Sequence, residues 1–183
     1  VPQKISHALK AAGIEAKLWC VKGEHEGFEN LTKATLAADT HFERAETLAT
    51  DPMMLYFTSG TTGYPKGVIH DHTYPLAHIV TAKYWQQAEE GGLYFTVAET
   101  GWAKASWGKL YGQWLAGSAI MVYDFEKFVP KDMLAVLEKY KVTTFCAPPT
   151  MFRFMLQEDV TKYDLSSIHH CCIAGEPLNP EVF

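Results

Sequence analysis

A chain of 183 residues, 48% hydrophobic and 13% aromatic, carries enough apolar material for a packed core and lacks the composition of a disordered segment. Its formal net charge of -5 excludes a basic field for nucleic acid or anionic lipid, so any phosphate ligand must be held by a local set of donors. No apolar run approaches the roughly 20 residues needed to cross a bilayer, and the opening VPQKISHALK lacks the continuous apolar stretch of a secretory signal.

Four cysteines, Cys20, Cys146, Cys171 and Cys172, lie in apolar stretches with no CxxC spacing, which fits a reducing, cytoplasmic location. The chain begins without methionine and stops at Phe183, where LNPEV opens a helix. Both ends are therefore expected to be cuts, and an upstream targeting sequence stays compatible with the reading.

Residues 5–12 read as a short helix ended by Gly13, and residues 16–21 (AKLWCV) as a strand. Residues 22–51 are charge-rich and read as a surface connection with at most one short helix. The chain then alternates: strand 53–58, loop, strand 67–71, helix 73–87, strand 93–97, helix 106–115, strand 119–123, helix 131–140, strand 143–147, helix 150–159 and strand 168–174. Met133, Leu134, Leu137 and Tyr140 share a face of the helix over 131–140. This rhythm predicts an α/β fold, mainly a parallel sheet with flanking helices. It is read as one incomplete domain, residues 1–50 ending an upstream unit and residues 51–183 carrying the chemistry.

Leu55 to Gly67 reads LYFTSGTTGYPKG. Gly60, Gly63 and Gly67 let backbone N–H groups approach an anion, Thr58, Ser59, Thr61 and Thr62 supply hydroxyls, and Lys66 a positive charge. That inventory suits a polyphosphate, although an isolated loop of this composition equally suits a solvated hairpin tip. A Walker loop is excluded: Pro65 stands at the second glycine position and Gly67 where a magnesium-binding hydroxyl is needed. Gly67, Val68 and Ile69 favour strand over helix, so the loop is expected to be a β-hairpin joining two strands.

This segment resembles the phosphate loop of the AMP-forming acyl-CoA synthetase, luciferase and peptide-synthetase adenylation superfamily. The resemblance implies the large N-terminal domain of that superfamily as the fold, with ATP and Mg2+ as cofactors. It implies Thr58, Ser59, Gly60, Thr61, Thr62, Gly63 and Lys66 as the nucleotide-binding set, Thr61 and Lys66 acting catalytically on the departing pyrophosphate. AETGWAKASWGKLYGQWLAGSA (98–119) and GVIHDHTYPLAHIVTAKYW resemble the acyl-CoA synthetase branch, particularly its medium-chain and short branched-chain members. Glu99 stands where such enzymes more often have aspartate. The resemblance places Trp102, Trp107 and Tyr111 on an acyl and thioester channel and leaves Trp114 in the core. Spacing alone allows a helix whose face of Trp107, Leu110, Tyr111 and Trp114 simply packs inward. AGEPLNPE (174–181) resembles the adenine-binding segment, with Gly175, Glu176 and Pro177 against the purine. A plain strand-to-helix turn capped by Asn179, with Pro180 first in the helix, is compatible with this.

The implied partners are a small carboxylic acid, ATP and coenzyme A, together with the C-terminal domain of the same chain; no nucleic acid and no membrane span are expected. The resemblance covers nearly all of this chain but only a middle portion of the superfamily's N-terminal domain. The implied downstream magnesium and ribose segments, hinge and catalytic lysine lie outside it, so these 183 residues alone are not expected to catalyse adenylation. A non-catalytic nucleotide-binding fragment and an adenylating enzyme with another acyl acceptor remain the alternatives.

No metal site is expected. On a strand, His169-His170-Cys171-Cys172 can present only alternate residues to one face, and His70 and His72 raise the same difficulty. Met151 to Leu156 reads as packing, Arg153 either reaching the surface or meeting a ligand phosphate, and Cys146 shows no electropositive setting in the sequence.

Overall fold

The computed structural model describes residues 2–59, 63–178 and Pro180. The chain divides into two compact units, Val1–Glu46 and Thr47–Phe183.

In the first unit, helix α1 (Pro2–Ala12) ends at Gly13, whose φ of 65° suits glycine. The strand expected over residues 16–21 shortens to β1 (Trp19–Cys20), paired parallel with β2 (Glu29–Asn30). The partner strand limits it. Asn30 is already the N-cap of α2 (Leu31–Ala37), its side chain accepting from the Lys33 N–H at 2.9 Å, so the chain leaves the ladder after two residues.

In the second unit β3 (Pro52–Thr58) and β4 (Lys66–Asp71) form an antiparallel hairpin. Helix α3 (Tyr74–Val80) runs on into a π-helical turn, Thr81–Trp85. Then come β5 (Leu93–Thr96), α4 (Lys104–Trp107), α5 (Tyr111–Leu115), β6 (Ala119–Ile120), α6 (Pro130–Tyr140), β7 (Thr144–Ala147), α7 (Pro149–Met155), a 3-10 turn (Val160–Lys162) and β8 (His170–Ile173). The sheet has the order β6-β5-β7-β8 and every pairing in it is parallel. This is the α/β arrangement the alternation predicts, the helices serving as crossovers.

Strand β7 lies inside the sheet and all four of its residues are buried, as a strand covered on both faces requires. On one face Met133, Leu134 and Leu137 of α6 pack with Phe95, Phe145 and Met155. Tyr140, expected on that face of α6, is exposed instead, as the helix's last residue.

The helix expected over residues 106–115 is two short helices. Between them the Gly108 carbonyl accepts from Thr96 Oγ1 at 2.7 Å and Gln86 Nε2 at 3.4 Å. Both donors belong to fully buried side chains from elsewhere in the sequence, and a buried polar group holds its partner because leaving it unpaired costs about 1–3 kcal/mol. Gln113 donates in turn to Gln86 Oε1, tying α5 to the end of the π-helical turn.

Candidate functional site

Thr58 is the register partner of Lys66, so residues 59–65 span the gap between two hydrogen-bonded strand ends. Gly60, Thr61 and Thr62 of the expected nucleotide-binding set lie outside the described residues. Thr58, Ser59, Gly63 and Lys66 are all exposed, and Gly63 has a φ of 98°, a conformation natural to glycine. Among the described residues Lys66 makes no ion pair. A Cβ added at Gly67 would stand 3.2 Å from Leu55 Cδ1, a contact that a small shift of this exposed side chain relieves.

Beside the hairpin lie two adjoining cavities that share Tyr56 and Ala103. One, of about 640 Å³, is walled by Tyr56, His70, Tyr74, His78, Trp85 and Trp107. Its rings interlock: Tyr74 lies 4.4 Å from His70 and 4.5 Å from His78, and Trp107 stacks 6.0 Å from both His78 and Trp85. Tyr56 shares a hydroxyl hydrogen bond with Ser106 and another, at 3.3 Å, with Tyr74. The other cavity, of about 590 Å³, is lined by Met54–Phe57, Thr100–Ala103, Ala105, Ser106, Lys109, Leu110 and Val122. Trp102, 70% exposed, lines this second cavity and Trp107 the first. Tyr111 lines neither, its ring meeting Tyr74 edge-on at 6.2 Å. The structure thus brings Trp107 and Tyr111 to one ring cluster and sets Trp102 in the adjoining cavity.

Sequence reasoning missed Tyr56, Tyr74, His78 and Trp85, and weighed His70 only as a metal ligand. Two periodic signals mark them. Tyr74, His78, Thr81 and Trp85 recur at i, i+4, i+7 and i+11, one helical face, and Tyr56 and His70 share a face of the hairpin because Tyr56 pairs with Val68, two residues from His70.

Burial within this cluster disfavours charge. Desolvation, then the nearby His70, holds the His78 imidazole below the ordinary histidine range, and desolvation pushes the Tyr74 phenol up. For His78 the folded state binds a proton less readily than the unfolded chain, so its contribution is fully present above about pH 6.5 and is lost as pH falls below that value. In the full-length protein, the melting temperature is expected to fall between pH 7.5 and 5.5 less steeply for His78→Phe than for wild type; parallel slopes would contradict this.

At the far end of the sheet, β8 delivers Ala174 and then Gly175 at φ 104°. Glu176 accepts from the Thr150 hydroxyl at the start of α7 and lies 3.9 Å from Arg153 Nη2, which also donates to Thr150 Oγ1 at 3.2 Å. Arg153 thus bridges Thr150 and Glu176, between α7 and the expected adenine segment. Pro177 follows in irregular backbone, and Asn179, the expected helix cap, lies outside the described residues.

Two expectations need correction. Trp114 is not a core residue: it is 60% exposed. The break at Gly108 turns α5 so that Gly112 and Gln113 face inward in its place. Cys146 does have an electropositive neighbour, Lys104. The Cys146 thiol is lowered chiefly by a hydrogen bond from Cys172, its register partner on the adjoining strand, against desolvation and with help from Lys104. Among the described residues no three His, Cys, Asp or Glu side chains gather as metal ligands. His169 pairs instead with Glu89 at 2.8 Å and His170 with the Trp85 carbonyl at 2.9 Å. No helix among the described residues is long and apolar enough to cross a membrane.

The chain is 33% identical over 176 residues to acyl-coenzyme A synthetase ACSM3, mitochondrial, of Homo sapiens, covering 96% of this chain and 30% of that protein. Its identity to the Homo sapiens acyl-coenzyme A synthetase ACSM5, mitochondrial, is 35% over 182 residues, 99% of this chain and 31% of that one. The chain thus spans about 30% of the length of these curated relatives. Among solved structures, the anthranilate CoA ligase AuaEII in complex with anthranoyl-AMP superposes with a TM-score of 0.79 at 25% identity, over 98% of this chain and 36% of that one. A Brucella canis acyl-CoA synthetase shares the fold with a TM-score of 0.80 at 24% identity, over 97% of this chain and 34% of that one. Residues 3–183 match the AMP-binding enzyme family, and with parallel sheet, hairpin loop and relatives in agreement the chain belongs to that family.

Proposed function

We propose that the whole protein is an acid–thiol ligase that activates a carboxylic acid with ATP to acyl-AMP and transfers the acyl group to coenzyme A. The observation that carries this reading is the hairpin. Pairing of Thr58 with Lys66 closes a loop rich in hydroxyls and glycines, with an exposed, unpaired lysine at its mouth among the described residues. A carboxylate is a poor acyl donor because its leaving group is oxide. When a carboxylate oxygen attacks the α-phosphorus, the bond to pyrophosphate breaks and charge builds on the departing group. Lys66 and the hydroxyls of Ser59, Thr61 and Thr62, with the loop amides, are proposed to stabilise that charge. The resulting mixed anhydride has AMP as a good leaving group, which the thiol of coenzyme A displaces.

Gly175, Glu176 and Pro177 are proposed to lie along the adenine, with Thr150 and Arg153 fixing Glu176. Trp102 and Trp107 are proposed to border the path of a medium-chain or short branched acyl group, with Tyr111 supporting the ring cluster behind Trp107. Magnesium is proposed to arrive with the nucleotide, since an ion held mainly by phosphate oxygens needs few protein ligands. Residues 1–183 are proposed to form part of one domain, completed by further chain that includes a C-terminal domain. The likeness to the mitochondrial synthetases ACSM3 and ACSM5 favours a mitochondrial location over the cytoplasmic one.

The test is acid-dependent exchange of pyrophosphate into ATP by the full-length protein, followed by product analysis with coenzyme A as sole acceptor. Exchange and a thioester product are expected. Nucleotide binding without exchange for any acid would favour a non-catalytic binding role, and exchange without thioester would favour another acceptor.

A further inference from the structure

The cavity of about 590 Å³ beside Trp102 has an unusual wall. It is built mainly from apolar groups, Tyr56, Phe57, Leu110 and Val122 among them, yet Lys109 also lines it and is the one charged residue there among the described residues. Lys109 is half buried and, among the described residues, has neither an ion pair nor a hydrogen bond. The lysines that do pair with carboxylates, Lys17, Lys33, Lys131, Lys141 and Lys162, all have side chains at least 56% exposed. A desolvated ammonium without a counter-charge is costly, and here desolvation alone lowers the Lys109 pKa. The hydroxyls nearby do not relieve it. Ser106 Oγ donates to the Ala103 carbonyl at 2.7 Å and is bonded to Tyr56. Among the described residues nothing engages the three N–H donors of the ammonium, which leaves them for a ligand in the cavity.

We propose that Lys109 is a specificity-determining residue that binds a second carboxylate at the far end of the acyl chain, so that the preferred substrate is a medium-length dicarboxylic acid activated at one end. The inference rests on the acid–thiol ligase reading, which places the acyl group beside Trp102. Apolar walls receive the methylenes, and the ammonium receives the distal anion, giving a half-buried charge the partner it lacks among the described residues. A cavity of this volume falls within the range of small-molecule sites.

Initial rates of pyrophosphate release by the full-length protein, with ATP and coenzyme A, would be compared for adipate, suberate, hexanoate and octanoate. Wild type is expected to favour the two diacids. Lys109→Met is expected to raise KM for adipate and suberate by about ten- to a hundredfold, the worth of a charge-assisted hydrogen bond, while leaving hexanoate and octanoate unchanged or improved. Lys109→Arg should retain most of the diacid preference. Turnover of the monoacids without the diacids would overturn the proposal. So would equal shifts for both classes in Lys109→Met, the result expected if the lysine stem merely covers apolar wall. No turnover of any acid would overturn the ligase reading and this inference with it.

Discussion

Replacing Lys66 with alanine is expected to lower kcat/KM for acid-dependent pyrophosphate release by about 10²–10³, the usual loss when one preorganised donor to a developing negative charge is removed. The charge on pyrophosphate grows as the P–O bond breaks, so the effect should fall mainly on kcat rather than on KM for ATP. Folding should be unaffected. Lys66 is exposed and forms no ion pair among the described residues, and surface substitutions of this kind usually change stability by less than about 0.5 kcal/mol. Steady-state kinetics and thermal unfolding of the full-length protein would check both halves. A variant with near-normal kcat would remove the hairpin from the chemistry, and one with a large loss of melting temperature would make its kinetic defect a folding defect.

The second large effect concerns packing rather than charge. A Cβ added at Gly112 would stand 2.3 Å from the His78 carbonyl oxygen and 2.8 Å from Ala82 Cβ. Neither neighbour can rotate away: one is helix backbone and the other a Cβ fixed to it. Gly112→Ala must therefore push α5 off the α3 side, breaking the Gln113 to Gln86 contact and displacing Tyr111 from Tyr74. Overpacking of a close-packed contact costs about 1–3 kcal/mol, and a backbone clash belongs at the upper end. Denaturant unfolding should show a loss of about 3 kcal/mol, accompanied by a raised KM for the acid because the ring cluster moves. Gly101→Ala is the control for stability, since an added Cβ there meets nothing within 4 Å. Equal stability of the two variants would show that α5 does not pack as described.

Much of this protein was legible from local pattern. The loop at residues 58–66 could be read as a strand-to-strand connection because Pro65 and Gly67 exclude the helix-based alternative, and β3 pairs with β4 accordingly. The parallel sheet followed from alternation, and the apolar face of α6 from its period, because each property is written within ten or so consecutive residues. Cys171 and Cys172 fall on opposite sides of β8, one exposed and one buried, as period two requires.

Contacts between distant segments decided the rest. No period within residues 106–115 announces the break at Gly108, which arises because Thr96 and Gln86 both claim its carbonyl. That interruption exposed Trp114. The ring cluster likewise needs β3, β4, the α3 segment and α4 to meet, although each contributing face was periodic by itself. The setting of Cys146 depends on its register with Cys172, and the partners of Arg153 on where β8 ends beside α7. Local backbone geometry repeats every two or 3.6 residues and leaves its mark in the sequence. Which buried donor captures which carbonyl depends on how separate elements come to rest against one another, and only the packed tertiary structure determines that.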